Sequence, residues 1–215
     1  MAHLVLLGDS IFDNALYVPA GGAVIQQLSK RLNPEWIVSL LASDGSVTTD
    51  VLGQLEQVPE SATHLLISVG GNDALQHERI LFHRVDSVAG ALWHLGLIQR
   101  DFSKRYTQIL DAAQGTGLPI AVCTIYDPDI ADLEKRRLSI LALNFFNDVI
   151  VREAVLRRIP LLDLRSICVG PEDFSHEIEP SAEGGAKISK AIVSLIMRWE
   201  YTHKNSIIIG SNKDI

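Results

Sequence analysis

The sequence predicts an α/β fold: a three-layer α/β/α sandwich around a doubly wound parallel sheet of about five strands. Short apolar runs alternate with longer segments of helical periodicity, and those runs are nearly continuous, as in strands that are buried on both faces. A chain of 215 residues, 47% of them hydrophobic, fits one compact domain. We expect a single domain over residues 1–201, followed by a tail over residues 202–215 that either docks on the domain or frays.

The predicted strands are short, apolar and bounded by Gly, Pro, Asp or Asn. They cover residues 3–7, 36–41, 64–69, 120–126 and 160–164. The tail contains one further apolar run, Ile207-Ile208-Ile209.

The predicted helices lie between and after these strands. They cover residues 22–32, 48–57, 87–113, 133–158 and 182–199. The last has an apolar stripe at helical spacing that includes Ile188, Ile192 and Trp199, so it is expected to pack on the sheet.

Composition excludes several classes of partner. The chain has 19 basic and 26 acidic residues, a net charge of −7, and no block of Lys or Arg, which argues against nucleic acid. No apolar stretch approaches the ~18 residues of a membrane-spanning helix, and no secretion signal precedes the first strand, so we expect a cytoplasmic protein. Cys123 and Cys168 lack the spacing of a metal site or a disulfide framework, which predicts two buried thiols and no metal.

Residues able to carry chemistry follow several of the predicted strands, where ligands bind in such folds. Ser10 lies on a sharp turn after the first strand, beside backbone N–H groups. Gly45 follows the second strand and lets the backbone approach a ligand closely. Asn72 follows the third strand and offers an amide donor. Asp173 and His176, three residues apart, follow the fifth strand and supply a carboxylate and an imidazole.

These four blocks resemble those of the SGNH hydrolases, the GDSL esterase and lipase family. Gly-Asp-Ser at residues 8–10, Gly45, Gly-Gly-Asn-Asp at residues 70–73 and Asp-Phe-Ser-His at residues 173–176 occur in the family's order. The resemblance implies a flavodoxin-like sandwich, hydrolysis of a small-molecule ester and no cofactor.

The resemblance also implies a role for each matching residue. Ser10 is the expected nucleophile, His176 the general base, and Asp173 the acid that orients the imidazole. The backbone N–H groups of Ser10 and Gly45 and the side-chain amide of Asn72 are the expected oxyanion hole.

One departure from the family pattern affects the choice of base. Family members commonly run from the histidine directly into proline, whereas here Glu177-Ile178-Glu179 stand before Pro180. Anchoring the pattern on Pro180 puts Glu179 in the place of the histidine and His176 in the place of the aspartate. Because a carboxylate with the reference pKa of about 4.3 is a weak base, the sequence favours Asp173 and His176 across a local insertion. His176 with Glu179 as its acid stays open as an alternative.

The resulting prediction is a serine esterase or lipase-like acylhydrolase that cleaves carboxylic esters through an acyl-serine intermediate. The alternative is a binding module that keeps the crevice without efficient hydrolysis. Of the neighbouring carboxylates, Asp9 is expected to fix the turn around Ser10, and Asp73 to cap a helix. The sequence carries no signal for the natural ester or for an oligomeric state.

Overall fold

The computed structural model describes residues 1–198 and 207–210. Its main sheet has six parallel strands in the order β2-β1-β3-β4-β5-β8. The strands are β1 (Ala2–Gly8), β2 (Trp36–Leu40), β3 (His64–Ser68), β4 (Ile120–Cys123), β5 (Leu161–Leu162) and β8 (Ile208–Ile209), and a separate antiparallel hairpin pairs β6 (Phe174–His176) with β7 (Glu179–Pro180). The predicted α/β sandwich is confirmed.

The sheet is covered by helices on both faces. They are α1 (Val24–Arg31), α2 (Asp50–Leu55), α3 (Gly71–Gln76), α4 (Val88–Gly115), α5 (Leu133–Arg157), α6 (Leu164–Ile167) and α7 (Ala182–Ile196), with short 3-10 helices at Ala15–Tyr17, Glu78–Phe82 and Pro171–Asp173. Helices α1 and α7 pack together on one face, and α4 packs with α5 on the other. None of the helices in the described part of the chain is long and apolar enough to cross a bilayer.

Strand β1 shows why the sheet is buried on both sides. Leu4 and Leu6 belong to the core under α1 and α7, whereas Val5 and Leu7 belong to the core under α4 and α5. All four side chains are fully buried. Because consecutive residues of a strand point to opposite faces, such a run stabilises both layers, at ~1.5–3 kcal/mol for each large apolar side chain.

The predicted elements differ from the observed ones mainly at their ends. The fourth strand stops at Cys123, and two residues later the backbone bonds to a side chain instead of a strand: Asn147 accepts from the Ile125 N–H and donates to the Ile125 carbonyl. The tail supplies a sixth strand, since Ile208 and Ile209 pair with β5. The last helix is described to Ile196, and the predicted Trp199 lies outside the described residues.

Both cysteines are buried and unlinked, as the sequence predicts. Burial raises the pKa of the Cys123 thiol well above its ordinary value and that of Cys168 to about 12. Neither thiol is therefore a nucleophile at neutral pH.

Candidate active site

Ser10 lies just past the carboxyl end of β1, on a turn that begins at Gly8, a position that only glycine can occupy. Gly8 has φ +123°, and a Cβ there would lie 1.8 Å from the carbonyl oxygen of Ser68. The Gln54 side chain accepts from the Gly8 N–H at 2.7 Å and donates to the Gly8 carbonyl at 2.9 Å, which replaces the backbone bonds lost as the strand ends. The turn leaves Ser10 8% exposed, at the carboxyl ends of the strands, where ligands bind in such folds.

Asp9 fixes this turn, as the sequence predicts. Its carboxylate accepts from the Ile11 N–H at 3.2 Å, and its own N–H donates to the Ser68 carbonyl. The Asp9 pKa is raised to about 8, mainly by burial and also by the nearby acids Glu179 and Asp73, while the Ile11 bond lowers it. Asp9 is therefore mostly uncharged at pH 7 and adds little negative charge beside Ser10.

The hydrogen-bond donors of the predicted oxyanion hole come from three strand ends. Among the described residues, the backbone N–H groups of Ser10 and Gly45 have no hydrogen-bond acceptor. The Asn72 side-chain amide donates to the Ser46 carbonyl at 3.0 Å and has a second N–H that no described residue accepts. These groups have the chemistry that an oxyanion needs, and the oxyanion hole itself stays a prediction.

Asp73 holds two of these loops together and does not cap α3. Gly70 takes the cap position, and Asp73 lies within the first turn of the helix. From there its buried carboxylate accepts from both the N–H and the hydroxyl of Thr48 at 2.8 Å, and Arg105 lies 3.5 Å away. The expectation of a helix cap was wrong, because the helix begins two residues earlier, at Gly71, and the Asp73 carboxylate bonds to Thr48 in the loop after β2.

Asp173 is fully buried at the base of the β6–β7 hairpin. Its carboxylate accepts from the N–H groups of Val169 (2.9 Å) and Gly170 (3.2 Å) and lies 2.6 Å from the Lys187 ammonium group. In the described part of the chain no hydrogen bond joins Asp173 to His176. These contacts give Asp173 a structural role in anchoring the hairpin, and its predicted role as orienting acid stays a prediction.

His176 lies on the exposed side of the hairpin. Its ring packs edge-on against Tyr17, with centroids 5.9 Å apart, and the Tyr17 hydroxyl donates to Asp44 at 2.6 Å. No described hydrogen bond connects the imidazole to Ser10. The predicted His176–Ser10 pair therefore lacks the contact that proton transfer requires in this conformation.

Glu179 is the residue that faces Ser10. It is 7% exposed, and in the hairpin it is the cross-strand partner of His176. Burial raises the pKa of its carboxyl group, while hydrogen bonding with the Ser10 hydroxyl lowers it and the charge of Asp44 raises it. The structure thus brings a carboxylate to Ser10, the predicted nucleophile, from the position that directly precedes Pro180.

Sequence reasoning missed the residue that connects these two parts. The Asn14 side chain accepts from the Val24 N–H at 2.9 Å and donates to the Pro180 carbonyl at 3.2 Å, and it is fully buried. It therefore links the Ser10 turn to the start of α1 and to β7. The available signal was an asparagine in an apolar stretch four residues after the serine.

A cavity of about 310 Å³ opens at Ser10. Its polar lining includes Asp9, Ser10, Asn72 and Glu179, whereas His176, Asp173 and Gly45 do not line it. Most of the remaining wall is apolar and comes from α3, the 3-10 helix Glu78–Phe82, α4, the loop after β4 and α5, with Leu75, Ile80, Leu81, Leu95, Ile98, Ile125, Ile130, Ala142, Leu143 and Phe145 as examples. The arrangement suits a ligand with one polar reacting group and an apolar chain.

Comparison with known proteins supports the esterase and lipase family that the sequence resembles. Residues 6–187 match the model of the GDSL-like Lipase/Acylhydrolase family, so this chain belongs to that family. No curated protein sequence matches the chain significantly.

Solved structures share the fold at low sequence identity. A lipolytic protein of the G-D-S-L family from Veillonella parvula superposes with a TM-score of 0.70 at 16% identity, covering 92% of this chain and 100% of that one. An extracellular lipase from Streptomyces rimosus gives 0.66 at 17% identity over 90% and 99% of the two chains. The esterase EstA from Pseudoalteromonas gives 0.64 at 16% identity over 94% and 100%. At these identities the superpositions establish the fold alone.

Proposed function

We propose that this protein hydrolyses carboxylic esters through an acyl-enzyme intermediate on Ser10. The observation that carries the proposal is that Ser10 and Asn72 both line a largely apolar cavity of about 310 Å³. Membership of an acylhydrolase family supports the same reaction class.

The proposed reaction uses the groups at the strand ends. The Ser10 oxygen attacks the ester carbonyl carbon, and the carbonyl oxygen becomes an oxyanion. The N–H groups of Ser10 and Gly45 and the Asn72 amide donate hydrogen bonds to it. Loss of one such donor typically costs ~3–4 kcal/mol of transition-state stabilisation, or a factor of roughly 100 to 1,000 in rate.

The apolar part of the cavity favours an acyl chain longer than acetyl. Side chains such as Ile98, Ile125 and Leu143 line it beyond the reacting group. Each CH₂ group transferred from water to such a wall contributes ~0.8 kcal/mol. We therefore expect kcat/KM to rise from acetate to butyrate and octanoate esters of the same alcohol.

The test is hydrolysis of chromogenic esters by the purified protein and by Ser10→Ala. We expect hydrolysis by the parent without an added metal ion and none above background by the variant. Ser29→Ala is the control, because Ser29 is an exposed serine of α1 whose hydroxyl, among the described residues, bonds only to the carbonyl one turn earlier. Equal rates for the parent and Ser10→Ala would remove Ser10 from the mechanism.

A second candidate is a binding module that keeps the crevice and hydrolyses poorly. The exposed position of His176, without a bond to Ser10, favours it. A fluorophosphonate probe separates the two functions, because an unactivated serine does not react with it. Labelling that is lost in Ser10→Ala supports the hydrolase, and no labelling of the parent supports the binding module.

A further inference from the structure

Glu179 occupies a position that the stability of the fold does not explain. Its side chain is buried, and it lines the same cavity as Ser10. Its Oε2 atom is fully buried and has no hydrogen-bond partner within residues 1–198 and 207–210. No Lys, Arg or His in that part of the chain forms an ion pair with it. A buried carboxyl group with one unpartnered oxygen and no cation beside it destabilises a fold, so its presence indicates a function.

The backbone around Glu179 is held in place from two sides. Asn14 binds the Pro180 carbonyl, directly after Glu179, and the Tyr126 hydroxyl donates to the Ile178 carbonyl at 2.6 Å, directly before it. Both supporting side chains are buried. The carboxyl group is thus positioned against Ser10 by bonds to its own neighbours, which is how a reacting group is preorganised.

We propose that Glu179 is the general base that activates Ser10, in place of an imidazole. This inference rests on the proposed ester hydrolysis. It assigns His176, on the exposed side of the same hairpin, no part in the proton transfer.

The proton transfers balance with Glu179 alone. The Glu179 carboxylate takes the hydroxyl proton as the Ser10 oxygen bonds to the carbonyl carbon. When the tetrahedral intermediate collapses, the bond to the alcohol oxygen breaks and the alcohol leaves with that proton. Water then gives a proton to Glu179 and adds to the acyl carbon, and the Ser10 oxygen departs and recovers the proton, releasing the carboxylic acid.

The surroundings of Glu179 make it a stronger base than an exposed glutamate. Asp9 faces it from the end of β1, Asp44 from the loop after β2, Tyr17 from the first 3-10 helix and Tyr126 from the loop after β4, and His176 lies opposite on β6. Burial and the Asp44 charge raise the Glu179 pKa, whereas the hydrogen bond with Ser10 lowers it. A higher pKa improves proton abstraction once the group is ionised. Activity should therefore rise with pH through a pKa above the ordinary glutamate value.

The experiment compares Glu179→Gln with His176→Asn. Both variants keep a side chain of similar size, and Glu183→Gln, an exposed glutamate in the first turn of α7, is the matched control. For each protein, kcat and KM for a butyrate ester are measured from pH 4 to 9, with the rate of fluorophosphonate labelling and the thermal midpoint. We expect Glu179→Gln to lower kcat and the labelling rate by about 100-fold or more, with little change in KM, as for loss of a general base. His176→Asn and Glu183→Gln should stay within about threefold of the parent.

A further variant, Glu179→His, tests whether a different base at this position restores activity. An imidazole at this position restores a base, so its activity should exceed that of Glu179→Gln, with the ascending limb of the pH profile moved toward the histidine pKa of about 6.5. The thermal midpoints separate loss of a base from loss of folding, and Glu179→Asp replaces Glu179→Gln if the latter does not fold.

The results distinguish failure of the Glu179 proposal from failure of the hydrolase proposal. Ser10-dependent hydrolysis that survives Glu179→Gln, or that disappears in His176→Asn, overturns the role of Glu179 and leaves the hydrolase intact. A parent protein whose Ser10 neither turns over esters nor reacts with the probe overturns both proposals.

Discussion

The side-chain amide of Asn14 donates a hydrogen bond to the carbonyl of Pro180, 166 residues away along the chain. This bond joins the turn that carries Ser10 to the strand that carries Glu179. Asn14 therefore controls the distance between the candidate nucleophile and the candidate base.

Replacing Asn14 with alanine is expected to destabilise the protein and to reduce its activity. The Val24 N–H and the Pro180 carbonyl lose their partner in a buried place, at ~1–3 kcal/mol each, which corresponds to a fall in Tm of roughly 4 to 24 °C for a protein of this size. Asn33→Ala is the control, because Asn33 makes a comparable bond in an exposed turn. Thermal unfolding and kcat are measured well below the lower Tm. Unchanged values for Asn14→Ala would show that other contacts hold the hairpin.

Asp173→Asn is expected to lower stability while leaving kcat within about threefold. The substitution removes the negative charge that lies 2.6 Å from Lys187, and breaking a buried pair costs ~3–5 kcal/mol, less here because Lys187 is 41% exposed. The matched control is Glu172→Gln, because the Glu172 carboxylate lies on the surface, 3.6 Å from the same lysine. A kcat that falls about 100-fold in folded Asp173→Asn would instead assign Asp173 to the catalytic machinery.

Asp9 is expected to make stability depend on pH. Its pKa in the folded protein is raised to about 8 from an ordinary value near 3.8. The folded state therefore keeps a proton that the unfolded state loses, and the contribution of Asp9 is fully present below pH 4 and lost as the pH rises to about 8. Asp9→Asn keeps an uncharged side chain, so its Tm relative to the parent should increase steadily between pH 4 and 8. A difference that does not change with pH would contradict the raised pKa.

Ala142→Phe is expected to shorten the acyl chain that the protein accepts. Ala142 lines the apolar part of the cavity, and a phenyl ring there occupies space that a longer chain needs. Loss of a few buried methylene contacts, at ~0.8 kcal/mol each, lowers kcat/KM for octanoate about 10-fold or more while acetate changes little. Ala112→Phe, on the exposed face of α4, should leave the ratio unchanged. Equal losses on both esters would indicate general damage to the site.

The sequence was sufficient for the positions that depend on local pattern. Apolar runs predict the strands, and parallel strands bring their carboxyl ends to one edge, so Ser10 and Asn72 could be expected to meet there. The base could not be chosen in the same way. Sequence reasoning compared His176 and Glu179 by their ordinary pKa values, whereas the hairpin exposes the first and buries the second, and of the two only Glu179 lines the cavity with Ser10.

The contacts that support the site could not be predicted for a different reason. Gln54 reaches the backbone of Gly8, and Asp73 reaches that of Thr48, through side chains whose partners lie 46 and 25 residues away. Such partners depend on the packed tertiary structure and leave no periodic signal in the chain.

The short strand β8 has a consequence for how these molecules behave in concentrated solution. Along that side, the Leu161 N–H of β5 donates to the Ile207 carbonyl, and the Asp163 N–H just after β5 donates to the Ile209 carbonyl. A polypeptide cut before residue 207 would present those donors unpaired at the rim of an apolar sheet, where a second copy could add its own strand. We therefore expect truncated preparations to self-associate, and expression tags to be tolerated better at residue 1 than in place of the final segment.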